Sequence, residues 1–404
     1  MATLTVKNVG PIREAELEVK KHTVFIGPQG SGKSTLAKLI AICSDTDLIF
    51  SQTTPTDNFE RKYNLHSYFG QDSTVDFQGN LHVVKFNNKF ILNFTNPEKA
   101  VDKDALDLLD EIKLLSDNLF QNRNKFQNKQ LDEKQYSELA RAVLLEVEVI
   151  QNKIQHQVFK DYETTYVPAE RILITTLSNA IWGITYSEIN LPKMLTLFFN
   201  NYSKARNELQ SLEIGFLNIN FLHSTEGDQV VLSQNRAINL SQSASGYQSI
   251  IPLLLVIESQ RKQSIRRFII EEPELNLYPT AQKDLIYSLM SGLDPNVDYQ
   301  DAEWVITTHS PYVLSSFNTL MLAYKVAQKS DELRAEVEKL VPARCWINPD
   351  DFAAYYVDNG TVRSIISEKT GLIDENELDG VSDTLADEQE ALFELNRTAR
   401  QPRA

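Results

Sequence analysis

Gly27-Pro28-Gln29-Gly30-Ser31-Gly32-Lys33-Ser34 matches the pattern G-x-x-x-x-G-K-[ST] at every fixed position. The pattern has meaning only between a strand and a helix, and both are legible here. Thr23-Val24-Phe25-Ile26 is a short apolar strand, and Thr35 to Ile42 reads as a helix. Glycines let the backbone bend so that successive N–H groups face one anion. The helix start adds the positive end of its dipole. Lys33 brings a mobile cation to the outer phosphates of a nucleotide, and Ser34 offers a hydroxyl to Mg²⁺. Gly27 to Thr35 is therefore the expected nucleotide-binding segment.

Two further strands end in chemistry. Arg267-Phe268-Ile269-Ile270 is apolar and runs into Glu271-Glu272-Pro273-Glu274. Adjacent strand residues point to opposite faces. One acid can then serve the metal while the next orients the attacking water. Glu271 is assigned to the metal and Glu272 to the water. Asp is the usual metal residue of such sites, so Glu271 is a departure. Trp304-Val305-Ile306-Thr307-Thr308 leads into His309-Ser310-Pro311, where an imidazole can hydrogen-bond a γ-phosphate or the water.

From 245 to 325 helices and buried strands alternate, the mark of a mostly parallel sheet. The expected fold class is α/β, with a mixed or parallel core sheet, an antiparallel β lobe and a short helical-hairpin insertion. Residues 1–100 form the first lobe, in which Leu81 to Phe86 and Phe90 to Phe94 read as a hairpin. Residues 101–160 form the insertion. Ile112, Leu115 and Leu119, then Val143, Val147, Ile150 and Ile154, follow heptad spacing over brief stretches. They fit two helices in an antiparallel hairpin, or two amphipathic helices lying on the domain. Residues 161–325 form the second lobe. Residues 326–404 hold a charged helix, a hairpin near Tyr355 to Ile366 and an acidic tail, and are assigned to partner contact.

The order of phosphate loop, Ser245-Gly246-Tyr247-Gln248, Glu-Glu-Pro-Glu strand and Thr-Thr-His-Ser-Pro strand resembles the ABC-type ATPases of the branch containing SMC proteins, RecF and the OLD nucleases. The resemblance implies an ATPase that uses ATP and Mg²⁺. It also implies a sandwich, in which one subunit's phosphate loop meets another's signature loop. Ser243 to Gln248 looks like that signature, although Tyr247 stands where a second glycine is expected. Ser245 and Gly246 are thus candidates to cap a γ-phosphate in trans. Leu275 to Pro279 looks like the loop that couples two sites. Tyr166-Val167-Pro168-Ala169-Glu170-Arg171 sits where the family places its glutamine loop, with Glu170 or Arg171 in place of glutamine. With Asn348 to Phe352, these blocks look most like compact ATPases of anti-phage systems, the ATPase subunit of PARIS first and the retron- and Septu-associated ATPases next.

That resemblance implies a homodimer or higher oligomer that holds a separate effector, such as a TOPRIM-type nuclease, and answers to a phage-encoded trigger. The alternative is a RecF-like repair ATPase that binds DNA directly. A net charge of -15 disfavours a protein that coats nucleic acid. The basic clusters Arg261-Lys262 and Arg266-Arg267 are small. No apolar strand pair with the acids of a nuclease module follows His309, and Asp350-Asp351 reads as a turn, so no nuclease activity is expected. Cys43 and Cys345 read as reduced thiols. The longest apolar run, Ile250 to Ile257, is too short for a membrane span of ~20 residues. Met1 to Val6 alternates like a strand and lacks an apolar signal core, so the expected location is cytoplasmic.

Overall fold

Alternation of apolar and charged residues builds the first sheet. In the computed structural model, β1 (Ala2–Val9) and β2 (Ile12–Val19) pair antiparallel. Leu4, Val6, Ala15 and Leu17 are buried on one face, while Lys7, Glu14 and Glu16 face out. Described residues are 2–45, 62–79, 82–86, 90–94, 163–177, 191–225, 227–232, 236–262, 266–294, 296–297, 302–374 and 388–392, with parts of 111–143. The next strand is β3 (His22–Ile26), followed by α1 (Lys33–Cys43). β4 (Phe69–Gln78), β5 (His82–Phe86) and β6 (Phe90–Phe94) extend the antiparallel sheet in the order β2-β1-β4-β5-β6. The hairpin read at 81–94 is therefore present, with His82 opposite Phe94.

The second lobe follows. β7 (Glu163–Val167) leads to α2 (Ile172–Leu177) and α3 (Lys193–Leu209). A small antiparallel sheet comes next, made of β8 (Ser211–Ile214), β9 (Ile219–Ser224), β10 (Gly227–Leu232) and β11 (Ala237–Asn239). Then come α4 (Ser245–Arg261), β12 (Arg266–Glu271), α5 (Pro279–Ser291), β13 (Ala302–Thr308) and α6 (Pro311–Ala327). The chain continues as α7 (Asp331–Leu340), β14 (Phe352–Asp358) and β15 (Thr361–Ser364).

The central sheet runs β15-β14-β3-β13-β12-β7. The four pairings from β14 to β7 are all parallel, β14 with β3, β3 with β13, β13 with β12 and β12 with β7; only β15 runs antiparallel, at one edge. Both faces are covered, as a parallel sheet requires. Phe268, Ile270, Trp304, Ile306 and Phe352 face a core shared with α3 to α6 and the small sheet. Phe25, Ile269, Val305, Ala353 and Tyr355 face a second core, shared with α1 and the first sheet. Truncating a fully buried side chain such as Phe268 costs about 3–5 kcal/mol at such a site.

The run Ile250 to Ile257 is buried throughout. It lies in α4, a core helix apolar on all sides. Among the described residues no helix is long and apolar enough to cross a membrane.

Two regions differ from, or go beyond, the sequence reading. Residues 326–404 were assigned to partner contact, yet β14 pairs in parallel with β3 from Phe352↔His22 to Tyr356↔Ile26. Part of that segment is thus a core strand. The hairpin read near Tyr355 to Ile366 is present, with β14 antiparallel to β15, but a short buried strand carries no mark of its second partner. In the insertion, Ile112, Leu119, Val147, Ile150 and Ile154 lie outside the described residues. Stretches 121–126 and 133–143 are helical, and the rings of Phe126 and Tyr136 stack at 4.9 Å. Asp132 and Gln135 exchange side-chain-to-backbone hydrogen bonds that cap the second stretch. This brings these two stretches together, while most heptad positions of the expected helices lie outside the described residues.

Candidate nucleotide site

Three neighbouring parallel strands, β3, β13 and β12, deliver their C-terminal ends to one edge of the sheet. Open α/β sheets bind ligands at that edge. Gly27 follows β3 directly at φ +150°. A Cβ there would stand 2.1 Å from the carbonyl oxygen of Val357 on β14, so only glycine fits. Pro28, Gln29 and Gly30 form the exposed rim of the loop, and a Cβ on Gly30 would meet nothing within 4 Å. Gly32 caps α1, whose first turn carries Lys33, the half-buried Ser34 and the buried Thr35.

Lys33 folds back onto its own loop. Its Nζ donates to the carbonyls of Gly27 and Pro28, both at 2.8 Å. Burial pushes its pKa down, and the carboxylates of Glu272, Glu274 and Glu271 oppose that shift. The Ser31 hydroxyl is buried without a hydrogen-bond partner, and so is that of Thr307 at the end of β13. A buried cation resting on carbonyls beside orphan hydroxyl donors fits a polyphosphate, which would supply acceptors to all of them.

The acids take distinct places. Glu271 is buried, and its Oε1 accepts from the Tyr166 hydroxyl. Burial and the Glu271 carboxylate push Tyr166 well above its ordinary value, so it stays a donor. Glu271 shares a sheet face with Ile269, the face covered by α1, whose first turn carries Ser34. Among the described residues no three His, Cys, Asp or Glu side chains converge into a self-contained metal site. A cation held here therefore needs phosphate and water oxygens beside Ser34 and Glu271.

Glu272 departs from strand geometry, at φ +44°. Its N–H still donates to Thr307 O at 2.9 Å, one step beyond the ladder. Its Oε1 lies 3.1 Å from His309 Nε2, while Lys33 Nζ approaches His309 Nδ1 at 3.5 Å. An ammonium only donates, so Nδ1 is the acceptor and Nε2 carries the proton aimed at Glu272. The Lys33 ammonium, the His309 imidazole and the Glu272 carboxylate therefore stand in one line.

Two further residues, Glu274 and Arg171, support that line. Glu274 is buried; its Oε1 accepts from Thr308 Oγ1 at 2.6 Å and from the His309 N–H at 3.0 Å. Burial pushes its carboxyl pKa up, and Oε2 has no hydrogen-bond partner. Its signal was the fourth letter of the Glu-Glu-Pro-Glu block. Arg171, one of two residues offered for the glutamine loop, is fully buried. Its guanidinium donates to the carbonyls of Ser249, Pro168, Glu271, Glu272 and Pro273, which leaves no N–H facing a ligand. Glu170, the other, is exposed.

Ser245 and Gly246 open α4, with Ser245 exposed. Gly246 packs on the coupling-type loop: a Cβ there would stand 2.8 Å from Asn276 O. Gln248 Nε2 donates to Ser243 O at 2.8 Å and to Ser241 O at 3.3 Å, which holds the signature-like loop. Ser310 caps α6 through Tyr312 N and donates to Gln282, whose Nε2 donates to Leu277 O. Asp350 and Asp351 lie in a short 3-10 turn capped by Asn348.

A family model described as "AAA domain, putative AbiEii toxin, Type IV TA system" matches residues 23–315, from β3 through the start of α6. The chain belongs to this AAA family. Its fold is the α/β P-loop ATPase fold, with parallel and antiparallel strands in one sheet. No curated protein matches the chain. Among solved structures, the SMC head domain of Thermotoga maritima is 12% identical, covering 91% of this chain and 98% of that chain at a TM-score of 0.37. The SMC head of Pyrococcus furiosus with an extended coiled coil, bound to the C-terminal domain of ScpA, is 11% identical. It covers 90% of this chain and 96% of that chain at a TM-score of 0.35. The fold assignment rests on the family match and the strands, not on these likenesses.

Proposed function

We propose that this AAA chain is an ATP-hydrolysing switch subunit of a bacterial anti-phage defence complex in the cytoplasm. The observation that carries the hydrolytic part is the line Lys33, His309 and Glu272 at the edge of β3, β13 and β12. Lys33 exchanges the Gly27 and Pro28 carbonyls for phosphate oxygens. Glu272 accepts a hydrogen bond from the attacking water and takes its proton. His309 steadies that carboxylate through Nε2–H. Ser34 and Glu271 would hold Mg²⁺, which would supply neutralisation of phosphate charge. Loss of a positioned base typically slows such a step by about 10²–10⁴-fold.

Assembly is the second part. The exposed Ser245 and the Gly246 N–H at the start of α4 suit capture of a γ-phosphate held by a second copy. Residues 326–404 carry the partner-contact surface, to which the exposed Leu333 and Leu340 of α7 contribute. The partner is a separate effector, such as a TOPRIM-type nuclease, under control of a phage-encoded trigger. Direct DNA binding, as in a repair clamp, needs a basic stripe. Arg261 and Arg267 are buried, bonded to Leu289 O and paired with Glu303, and so do not contribute one.

Phosphate release from ATP by the purified chain tests the hydrolytic part. Co-purification with the product of the neighbouring gene, with and without ATP, tests the assembly part. A chain that binds ATP, remains a monomer and captures no neighbour sinks the switch.

A further inference from the structure

We infer that Arg171 is a positioning residue that ties the alignment of Glu272 to the start of α4. This rests on the hydrolytic reading of Glu272 given above. The guanidinium donates through Nη1 to Glu271 O at 2.8 Å, and through Nη2 to Glu272 O at 2.7 Å and Pro273 O at 3.3 Å. Carbonyls of a strand point alternately to its two sides. Three in succession can converge on one cation only where the strand is broken, and Glu272 at φ +44° is that break. A non-glycine residue there is strained and persists only when its surroundings hold it. Arg171 holds it from the carbonyl side, and the bond from Glu272 N–H to Thr307 O holds it from the other.

The opposite edge of the same planar group reaches α4. Nε donates to Ser249 O at 3.1 Å. Ser249 lies four residues beyond Ser245, about one helical turn from the signature-like start. A rigid fork thus spans the helix offered to a second copy and the turn that carries Glu272. A shift of α4 when Ser245 and Gly246 engage a γ-phosphate moves Ser249 O, and the fork passes that shift to 271–273. The water-orienting carboxylate is then aligned only in the assembled state.

The test uses the full chain. Arg171→Lys keeps a cation but cannot span both edges. It should lower kcat by about 100-fold, as expected for a misplacement near 1 Å. ATP affinity should stay within about threefold, well under one tenfold step of 1.4 kcal/mol. Added to Glu272→Gln, it should cause no further loss, since both act through one carboxylate. A folded Arg171→Lys protein with wild-type kcat overturns the proposal, and so do multiplying losses. Amide exchange in the wild type needs neither turnover nor a variant. A non-hydrolysable ATP analogue should slow exchange at 245–250 and 271–275 together. Protection of one segment without the other overturns the coupling. Wild-type protein that binds ATP without hydrolysing it removes the role of Glu272 alone, and exchange still decides the link.

Discussion

Glu272 Oε1 lies 3.1 Å from His309 Nε2, and the carboxylate reaches that place through a backbone φ of +44°. The pair joins the ends of two adjacent strands and puts an acid and an imidazole on one hydrogen bond. Glu272→Gln removes the proton acceptor and keeps the shape. Phosphate release should fall by about 10²–10⁴-fold while ATP remains bound. Rapid-quench turnover and retention of radiolabelled ATP on gel filtration check this. Normal turnover would show that another group accepts the proton.

Lys33 rests on two carbonyls and waits for stronger acceptors. Lys33→Ala deletes a charge-assisted contact of about 1.5–3 kcal/mol, so ATP affinity should drop by roughly 10–100-fold. Calorimetric titration with ATP measures it. Unchanged affinity would remove the phosphate loop from the nucleotide site.

Two glycines of the same loop should behave differently. Gly27→Ala drives a Cβ to 2.1 Å from Val357 O and should destabilise the fold by roughly 4 kcal/mol or more. Gly30→Ala meets no atom within 4 Å and carries only the strain of φ +75°, about 1–2 kcal/mol. Denaturant midpoints separate them. Equal stability of the two variants would contradict the packing of β14 against Gly27.

Glu274 gives a pH dependence. Burial raises its folded pKa above the ordinary 4.5. Between the unfolded and folded values the native state binds more protons than the unfolded one. Stability therefore falls as pH rises through that window and stays lowered above it. Glu274→Gln keeps an acceptor for Thr308 and His309 without the buried charge. Its stability relative to wild type should improve as pH rises above 4.5 and then level off, as followed by urea unfolding. A difference independent of pH would show that Glu274 has no raised pKa.

The parts legible in the sequence are those whose chemistry is local. Gly27 to Ser34 reads as a loop because glycine spacing and the lysine sit within eight positions of one another. The strand ends at Glu271 and Thr308 read clearly because apolar runs stop abruptly at polar groups. Arg171 was seen but given the wrong neighbours. Nothing near it signals that its partners are carbonyls a hundred residues away. Glu274 is not legible because a third acid in an acidic block looks like solvated charge, and only the fold buries it. The hairpin of β14 with β15 is legible and present, but the parallel pairing of β14 with a strand 330 positions earlier leaves no trace between them.

That last pairing bears on synthesis. β3 is flanked by β13 and β14, so the strand that ends in the phosphate loop finds its neighbours only when residues 302–308 and 352–358 have emerged from the ribosome. Until then Gly27 has no Val357 to lie against. Nascent chains shorter than this expose an unpaired apolar strand edge, a state prone to aggregation. They also lack a finished cradle for ATP. Nucleotide binding at this loop thus requires the chain at least through β14.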